Sequence, residues 1–410
     1  MCLASDLPQR MHFRASPHFS RIAVSPILAA LFAFAAIPPA SARDPAPQTI
    51  RGEIIIHRSD AAWQSQQLQE ACILPNPRDP SRLVMFYSGV PKSDRFLCEV
   101  GKAWASVSDP FTWHQDPANP VFGPRGSGWD ARTLRLDTVL HVPEEDAYYL
   151  YYSGTAGNIQ DHIGLAIAPV GDGYASINRG SFQRYGDAPI LAPEPGAPFH
   201  ETMVSQSAVW REPGRTPGSW QWFMYYSYRG RDGTLPGIRL ATSTDGRHWT
   251  RQFNASDPRG MGQIFASTRD AYYEWHQIQK IGHTYLLLIE VGLNKGQRWR
   301  PVMAVSAHPD RDWRQLEVDT VLQTKWEGLY RDDTLYHVAT PALYQIGGAW
   351  YLFAQACALP ANRNYIDGQW ELWAIACNRR VPTLPGMDDV FIPGIPPASP
   401  VHEGAILRSD

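Results

Sequence analysis

A hydrophobic run rich in aromatic residues recurs five times along the chain. The runs are LVMFYSG from Leu83, YYLYYSG from Tyr148, WFMYYSY from Trp222, YLLLIEVG from Tyr285 and YLFAQACA from Tyr351. Each run has the length and the aromatic or β-branched content that are typical of a buried strand. A second apolar run follows every one of them, so the pattern predicts at least two adjacent strands in each repeat.

The repeat has a regular period. The second runs carry an alanine at Ala105, Ala166, Ala241, Ala304 and Ala374, at intervals of 61, 75, 63 and 70 residues. A further apolar run precedes each aromatic run, and a turn that closes on tryptophan follows several of the second runs. Five units of four strands predict an all-β fold, a five-bladed β-propeller with four antiparallel strands per blade. An open stack of β-sandwiches is the alternative.

The turns that close on tryptophan contain an aspartate step, as in SVSDPFTW, STDGRHW and SAHPDRDW. Asp-Gly and Asp-Pro steps favour tight turns, and tryptophan offers a large apolar surface. We therefore predict that each turn leads into the outermost strand of a blade and that its tryptophan packs between blades.

Residues 1–42 are predicted to be a signal peptide. Arg14 and Arg21 precede the apolar stretch IAVSPILAALFAFAAI, and Ala40 and Ala42 match an Ala-x-Ala cleavage site. The propeller is expected to span residues 43–385, and the Pro-rich residues 386–410 form a C-terminal tail. This organisation predicts a secreted or periplasmic protein without membrane contact after cleavage; an uncleaved anchor is the alternative.

Composition supports a folded, exported protein that does not bind nucleic acid. The chain has 410 residues, 44% of them hydrophobic, which is enough for a large buried core. The net charge is -3 and the basic residues are scattered, so no basic patch indicates nucleic-acid binding.

Four cysteines remain after the predicted cleavage, at Cys72, Cys98, Cys357 and Cys377. An even number in an exported chain favours disulfides, and the clustering in sequence favours Cys72 with Cys98 and Cys357 with Cys377. Free buried thiols are the alternative. Zinc is disfavoured because neither pair has a short Cys-x-x-Cys spacing.

Polar residues lie near the start of the predicted innermost strands, which line the central channel of a propeller. They are Glu70, Asp137, Gln206 beside Ser205, Glu274 and Thr340. Three carboxylates at corresponding positions of otherwise apolar strands are not expected from packing alone. We predict a reactive site at one mouth of the channel; ion-paired or capping acids are the alternative.

At these residues the chain resembles the five-bladed propeller glycoside hydrolases, the arabinanase/β-xylosidase and invertase/levansucrase group. The stretches that carry the resemblance are Leu134 to Gly154, Tyr273 to Glu290 and His337 to Ala356. The resemblance implies a glycoside hydrolase that cleaves an oligo- or polysaccharide and requires no organic cofactor. It also implies three acidic residues, which serve as base or nucleophile, as orienting acid and as proton donor.

By position, Glu70 corresponds to the base or nucleophile and Asp137 to the orienting acid. The proton donor has two candidates. Glu201 lies in the third unit but four residues early, whereas Glu274 has the expected spacing one unit later. A shifted register, with Asp137 as base and Glu274 as acid, is the alternative.

Other residues near these strands are candidate contacts to sugar or metal. The sugar-binding candidates are Trp129, Arg132, Arg135, Gln206, Trp275 and Thr340. His337 resembles an axial histidine that binds a metal ion such as Ca²⁺ in some arabinanase relatives. A solvated loop is the alternative for the first three residues, and a hydrogen-bonded core histidine is the alternative for His337.

Two other functions stay open at this point. A related glycan phosphorylase or transferase would use phosphate instead of water, and Lys295, Arg298 and Arg331 are candidates to bind that phosphate. A non-catalytic carbohydrate-binding propeller would instead have carboxylates of ordinary pKa at the mouth.

Overall fold

A computed structural model describes residues 52–392, with gaps at 95, 158–161, 197–199, 231–236, 253–262, 267–270, 294–297, 317–333, 361–369, 378, 382 and 384. Beside several gaps only the backbone is described. The predicted signal peptide lies outside the described residues. Where the structure describes the chain, no helix has the length and hydropathy needed to cross a bilayer.

The described chain consists of strands joined by turns and two short 3₁₀ segments, Ala62–Gln64 and Pro143–Glu145. The strands are β1 Gly52–Ile56, β2 Gln67–Pro75, β3 Arg82–Val90, β4 Glu99–Ser106, β5 Asp109–Gln115, β6 Thr133–Val142, β7 Ala147–Thr155, β8 His162–Pro169, β9 Gln183–Arg184, β10 Glu201–Pro213, β11 Trp220–Gly230, β12 Gly237–Ser243, β13 Thr250–Arg251, β14 Gln263–Ala266, β15 Ala271–Ile281, β16 Thr284–Leu293, β17 Arg298–Ser306, β18 Arg314–Gln315, β19 Thr334–Ile346, β20 Ala349–Pro360, β21 Glu371–Cys377, β22 Arg379–Val381 and β23 Val390–Ile392.

These strands form five antiparallel blades, which confirms the predicted propeller. Blade 1 is β2-β3-β4-β5, blade 2 is β6-β7-β8-β9, blade 3 is β10-β11-β12-β13 and blade 4 is β15-β16-β17-β18; β14 pairs with β12. Blade 5 is β19-β20-β21-β1, so the first described strand completes the last blade. Backbone hydrogen bonds between β1 and β21 therefore close the ring.

The second strand of each blade is hydrophobic throughout because both of its faces are buried. In β3, Val84 and Phe86 pack in a cluster with blade 2, while Met85 and Tyr87 pack in a cluster with blade 5. A strand buried on both faces has no need for polar alternation. This explains the aromatic runs, and it places the hydrophobic core between blades.

The five inner strands surround the axis of the ring. An axial cavity of about 260 Å³ is lined by residues from all of them, including Ala71, Val139, Ala208, Ile278 and Ala342. The inner strands therefore form the wall of a central channel, as predicted.

The tryptophan turns pack between blades, as predicted. Trp249 of blade 3 meets Tyr151 of blade 2 edge to face at 6.2 Å between ring centroids. Its turn is fixed by Asp245, whose carboxylate accepts hydrogen bonds from the backbone N–H groups of Arg247 and His248. The repeated motif is therefore structural.

The predicted disulfides are wrong, because all four described cysteines are free thiols. Cys377 pairs with Trp350 across β20 and β21, whereas Cys357 lies seven residues further along β20. At about 3.3 Å per residue this separation is about 23 Å, far beyond the roughly 7 Å that a disulfide allows between Cα atoms.

Cys72 and Cys98 are also too far apart to form a disulfide. Cys72 pairs with Phe86 on β3, while Cys98 precedes β4 on the far side of that strand. Two strand spacings separate them by about 9 to 10 Å or more. Burial raises the pKa of the Cys72 thiol to about 11 and that of Cys98 to about 12, so both thiols stay protonated.

Residues after blade 5 pack back onto the propeller. The ribbon of β22 and β23 places Val390 in the cluster between blades 4 and 5. The Asp388 carboxylate accepts a hydrogen bond from the His283 N–H at 2.7 Å. The segment around residue 390 thereby covers the edge of this cluster.

Candidate active site

Every inner strand contains a β-bulge near its start, so the bulges lie at the same end of the ring. The register shifts fall between Gln69 and Cys72, Leu136 and Thr138, Ser205 and Ala208, Tyr273 and His276, and Ala339 and Ala342. The residues within them include all five predicted mouth positions, Glu70, Asp137, Gln206, Glu274 and Thr340. A bulge interrupts regular strand pairing and changes the direction of the side chains within it, so bulges are common next to active sites.

Glu70 is buried and paired with Arg135. Its side chain is 1% exposed, and its Oε1 atom lies 3.1 Å from the Arg135 Nε atom. Arg135 also donates a hydrogen bond to the Gln69 side chain. Burial raises the pKa of Glu70, and the Arg135 guanidinium offsets part of this rise. The inner strands of blades 1 and 2 thus place a cation against a buried carboxylate.

Asp137 accepts hydrogen bonds from two neighbouring elements. The Ser153 hydroxyl donates to it at 2.8 Å, and the N–H and hydroxyl of Ser207 donate at 2.9 and 2.8 Å. Burial nevertheless raises the pKa of Asp137 to about 7. Asp137 therefore joins blade 2 to blade 3 directly beside the mouth.

Glu290, on β16 of blade 4, is a further buried carboxyl that sequence reasoning missed. It is 8% exposed, and its Oε2 atom accepts a hydrogen bond of 2.7 Å from the Thr340 N–H. Burial, together with the nearby Glu274 carboxylate, raises the pKa of Glu290 to about 8 despite this hydrogen bond. Glu290 is consequently protonated for much of the time at neutral pH.

The repeat itself contains the signal for Glu290. It is the sixth residue of its aromatic run, where the first three runs have Ser88, Ser153 and Ser227. Ser88 and Ser153 each accept a hydrogen bond from a backbone N–H in the bulge region of the next blade, as Glu290 does. A serine position of the repeat is therefore a carboxylate in blade 4.

Glu274 lies in the bulge of blade 4 and contributes charge to the same site. Its Oε1 atom is 3.1 Å from the Arg229 Nη2 atom, and its side chain is 19% exposed. The Glu70 carboxylate raises the pKa of both Asp137 and Glu290, while Arg135 lowers that of Glu290. These mutual effects show that the carboxyls and Arg135 form one electrostatic cluster.

Glu201, the first residue of β10, lies in a different environment, among side chains of its own blade. Its carboxylate is fully buried and accepts hydrogen bonds from Tyr226 at 2.9 Å, Arg239 at 2.7 Å and Arg251 at 2.8 Å. These partners belong to the three other strands of the same blade. Glu201 thus crosslinks blade 3 and is fully occupied by structural contacts.

Two candidate sugar contacts also have partners within the protein. The Trp129 ring stacks on Tyr152 at 5.6 Å and packs over Gly164, where a Cβ atom would lie 2.7 Å from it. Arg132 is half-exposed, and its Nη2 atom lies 3.3 Å from the Asp94 carboxylate. Trp129 therefore packs within blade 2, and Arg132 lies at the surface.

The remaining candidates lie outside what the structure describes. Only the backbone is described at Trp275, Arg298 and His337, while Lys295 and Arg331 fall in gaps. Among the described side chains, no group of three or more His, Cys, Asp or Glu is placed to hold a metal ion. The His337 metal site stays a prediction.

The raised pKa values predict an unusual dependence of stability on pH. The folded-state pKa values of Asp137 and Glu290 lie above ordinary values, so the native state binds their protons more tightly than the unfolded chain does. The stability that these two carboxyls add to the folded state is therefore complete below about pH 4, and it is lost as the pH rises towards 7 and 8. In Glu290→Gln the fall in melting temperature between pH 5 and pH 8.5 should be smaller than in wild type.

Thermal unfolding of wild type, Glu290→Gln and the exposed-strand control Glu53→Gln at both pH values provides the measurement. An unchanged pH slope in Glu290→Gln would show that this carboxyl does not have the raised pKa.

No protein-family model and no curated protein matches the sequence. Solved structures match its fold. A glycoside hydrolase has a TM-score of 0.56 at 17% identity, covering 79% of this chain and 89% of that one. A GH62 hydrolase in complex with xylotriose has a TM-score of 0.53 at 12% identity, covering 79% and 95%.

A third structure comes from the GH130 family of mannoside phosphorylases, which contains glycoside hydrolases that target β-1,2 mannosidic linkages in Candida mannan. It has a TM-score of 0.52 at 16% identity and covers 82% of this chain and 95% of that one. At these identities the likeness concerns the fold. The predicted resemblance to the propeller glycoside hydrolases is confirmed at that level.

Proposed function

We propose that the protein is a glycoside hydrolase whose substrate binds at the mouth lined by the five bulges. One observation carries the proposal. A buried carboxyl that retains its proton near neutral pH, Glu290, belongs to the same electrostatic cluster as Glu70, a second carboxyl paired with a cation. Glycosidic cleavage requires one protonated and one ionised carboxyl, and the Arg135 guanidinium is the group that favours the ionised form of Glu70 against the effect of burial.

In this proposal Glu290 is the proton donor. The Thr340 N–H binds its Oε2 atom, so Oε1 is the oxygen that presents the proton to the leaving group. The carboxyl is buried in the wall of the mouth, and the nearby Glu274 and Glu70 carboxylates favour its protonated form.

Glu70 is the base or nucleophile. Arg135 lies against its Oε1 atom, while Oε2 has no hydrogen-bond partner among the described residues and is the oxygen available to a water or an anomeric carbon. As Glu290 transfers its proton to the leaving oxygen, the ionised Glu70 either accepts a proton from the attacking water or bonds to the anomeric carbon.

Asp137 acts as a positioning residue. Its hydrogen bonds to Ser153 and Ser207 fix the bulge that carries Gln206, and its charge influences its neighbours. Glu274 raises the pKa of the donor, and Glu201 maintains the structure of blade 3. The proposed location is the periplasm or the cell exterior, on the strength of residues 1–42, and the partner is carbohydrate.

The test is a turnover screen of the purified full chain against furanosides, pyranosides and bacterial polysaccharides, with and without phosphate. Release of free reducing sugar without phosphate supports hydrolysis. Turnover only with phosphate, yielding a sugar phosphate, would replace the proposal with phosphorolysis. Binding without turnover would indicate a non-catalytic propeller.

A further inference from the structure

Three residues at corresponding bulges have a left-handed backbone although none is glycine. They are Glu70, Gln206 and Thr340, with φ values of 53°, 54° and 45°, in blades 1, 3 and 5. Such a conformation is unfavourable for residues other than glycine and persists where the surroundings hold it, often at functional sites. Its repetition at one level of the ring gives the three side chains a common direction relative to their blades.

Each of these residues also has a buried polar atom without a partner. Within the described residues the Glu70 Oε2, Gln206 Oε1 and Thr340 Oγ1 atoms make no hydrogen bond. Glu70 and Thr340 are at least nine-tenths buried. Since a buried polar atom without a hydrogen bond is costly and rare in folded proteins, three at one level indicate a place where another molecule supplies the partners.

Gln355 adds a fourth such atom beside Thr340. It pairs across β20 and β19 with Ala339, the residue before Thr340, and it is 5% exposed. In blades 1, 2 and 4 a second-strand side chain binds a backbone N–H at the bulge of the next blade. In blade 5 the corresponding side chain is Gln355, and its Oε1 atom has no hydrogen-bond partner among the described residues.

The chemistry of these atoms defines what fits. Carboxylate and amide oxygens accept hydrogen bonds, and the Thr340 hydroxyl both accepts and donates. A hydroxyl group satisfies them, whereas the oxygens of an ionised carboxylate only accept hydrogen bonds. A phosphate group keeps at least one O–H near neutral pH, but it would bring its negative charge against the Glu70 and Glu274 carboxyls. The described guanidinium groups around the mouth already pair with carboxylates, Arg135 with Glu70 and Arg229 with Glu274.

We propose that Gln206, Thr340 and Gln355 form a hydroxyl-binding collar that, with Glu70, selects a neutral polyhydroxylated sugar ring over a uronic acid or a phosphate group. The proposal rests on the proposed function, since it assigns the substrate class of the same mouth. Thr340 links the collar to the proposed proton donor, because its N–H binds Glu290 while its buried hydroxyl has no partner among the described residues. The collar residues are therefore specificity-determining.

Binding of simple ligands to the full chain tests the collar independently of turnover. Isothermal titration is carried out with xylose, arabinose, mannose, glucose and galactose, and with glucuronate, galacturonate and inorganic phosphate. At least one neutral sugar should bind more tightly than every anion. Thr340→Val and Gln355→Leu should each weaken that sugar about tenfold, because each removes one buried hydrogen bond.

Two controls separate a lost hydrogen bond from a change in structure. Thr340→Ser keeps the hydroxyl and should restore most of the affinity. Thr242→Val, on β12, removes a hydroxyl that binds the Gln252 side chain away from the bulges, and it should leave the affinity unchanged.

Equal or tighter binding of a uronate or phosphate would overturn the collar, as would unchanged affinity in both collar variants or the absence of monosaccharide binding. These results would leave hydrolysis in the turnover screen intact. Absence of turnover with intact, collar-dependent sugar binding would refute the hydrolase and leave the collar standing.

Discussion

Replacing Glu290 by glutamine is expected to lower kcat/KM by about two to four orders of magnitude on a substrate with a poor leaving group. General acid catalysis contributes about this much, and glutamine has a similar shape without a transferable proton. The Thr340 N–H still finds an acceptor in the amide oxygen, so the bulge should keep its geometry. Steady-state kinetics and circular dichroism measure the two effects.

The pH profile separates an acid role from a structural one. With a donor pKa of about 8, the activity of wild type should fall on the alkaline side around that value, and this limb should disappear from the residual activity of Glu290→Gln. Glu144→Gln, in the turn Pro143–Glu145, is the matched control and should behave as wild type. An alkaline limb that persists unchanged in Glu290→Gln would exclude Glu290 as the donor.

Replacing Arg135 by methionine is expected to destabilise the protein strongly at alkaline pH. Removing one member of a buried ion pair costs about 3 to 5 kcal/mol, because Glu70, at 1% exposed, would be left as an unpaired buried charge. Without the guanidinium the folded-state pKa of Glu70 rises further. At low pH the Glu70 carboxyl therefore binds a proton and is no longer an unpaired charge, so the loss of unfolding free energy is smaller there.

Urea unfolding at pH 5 and pH 8 measures this difference. Arg132→Met, three residues earlier, is the control, since Arg132 is half-exposed and its pair with Asp94 is worth at most about 1 kcal/mol. A loss in Arg135→Met that is the same at both pH values would contradict the role of Arg135 as the cation that stabilises an ionised Glu70.

The repeat pattern was sufficient to predict the fold, and it placed the candidate site residues at corresponding positions of the blades. The aromatic runs are the strands buried between blades, and Glu70, Asp137, Gln206, Glu274 and Thr340 all fall within bulges of the inner strands. Both results follow from periodicity, because corresponding residues of equivalent blades meet at one end of the ring.

The contacts that the sequence did not predict are those whose partners come from distant parts of the sequence. Arg239 and Arg251 occupy Glu201, and neither is close to it in sequence. Likewise, Cys357 and Cys377 lie on adjacent strands, but the register places them far apart. Glu290 lies on a second strand, so the prediction that reactive acids lie on inner strands did not include it, although it breaks the serine pattern of the aromatic runs.

The most direct test of the assigned roles compares two leaving groups on the substrate sugar found in the screen. Hydrolysis of a dinitrophenyl glycoside needs little protonation of the leaving oxygen, whereas an alkyl glycoside depends on the acid. We predict that Glu290→Gln loses most activity on the alkyl glycoside but keeps activity on the dinitrophenyl glycoside, while Glu70→Gln loses both. Equal losses on the two substrates in Glu290→Gln, or near-normal hydrolysis by Glu70→Gln, would contradict the proposed mechanism.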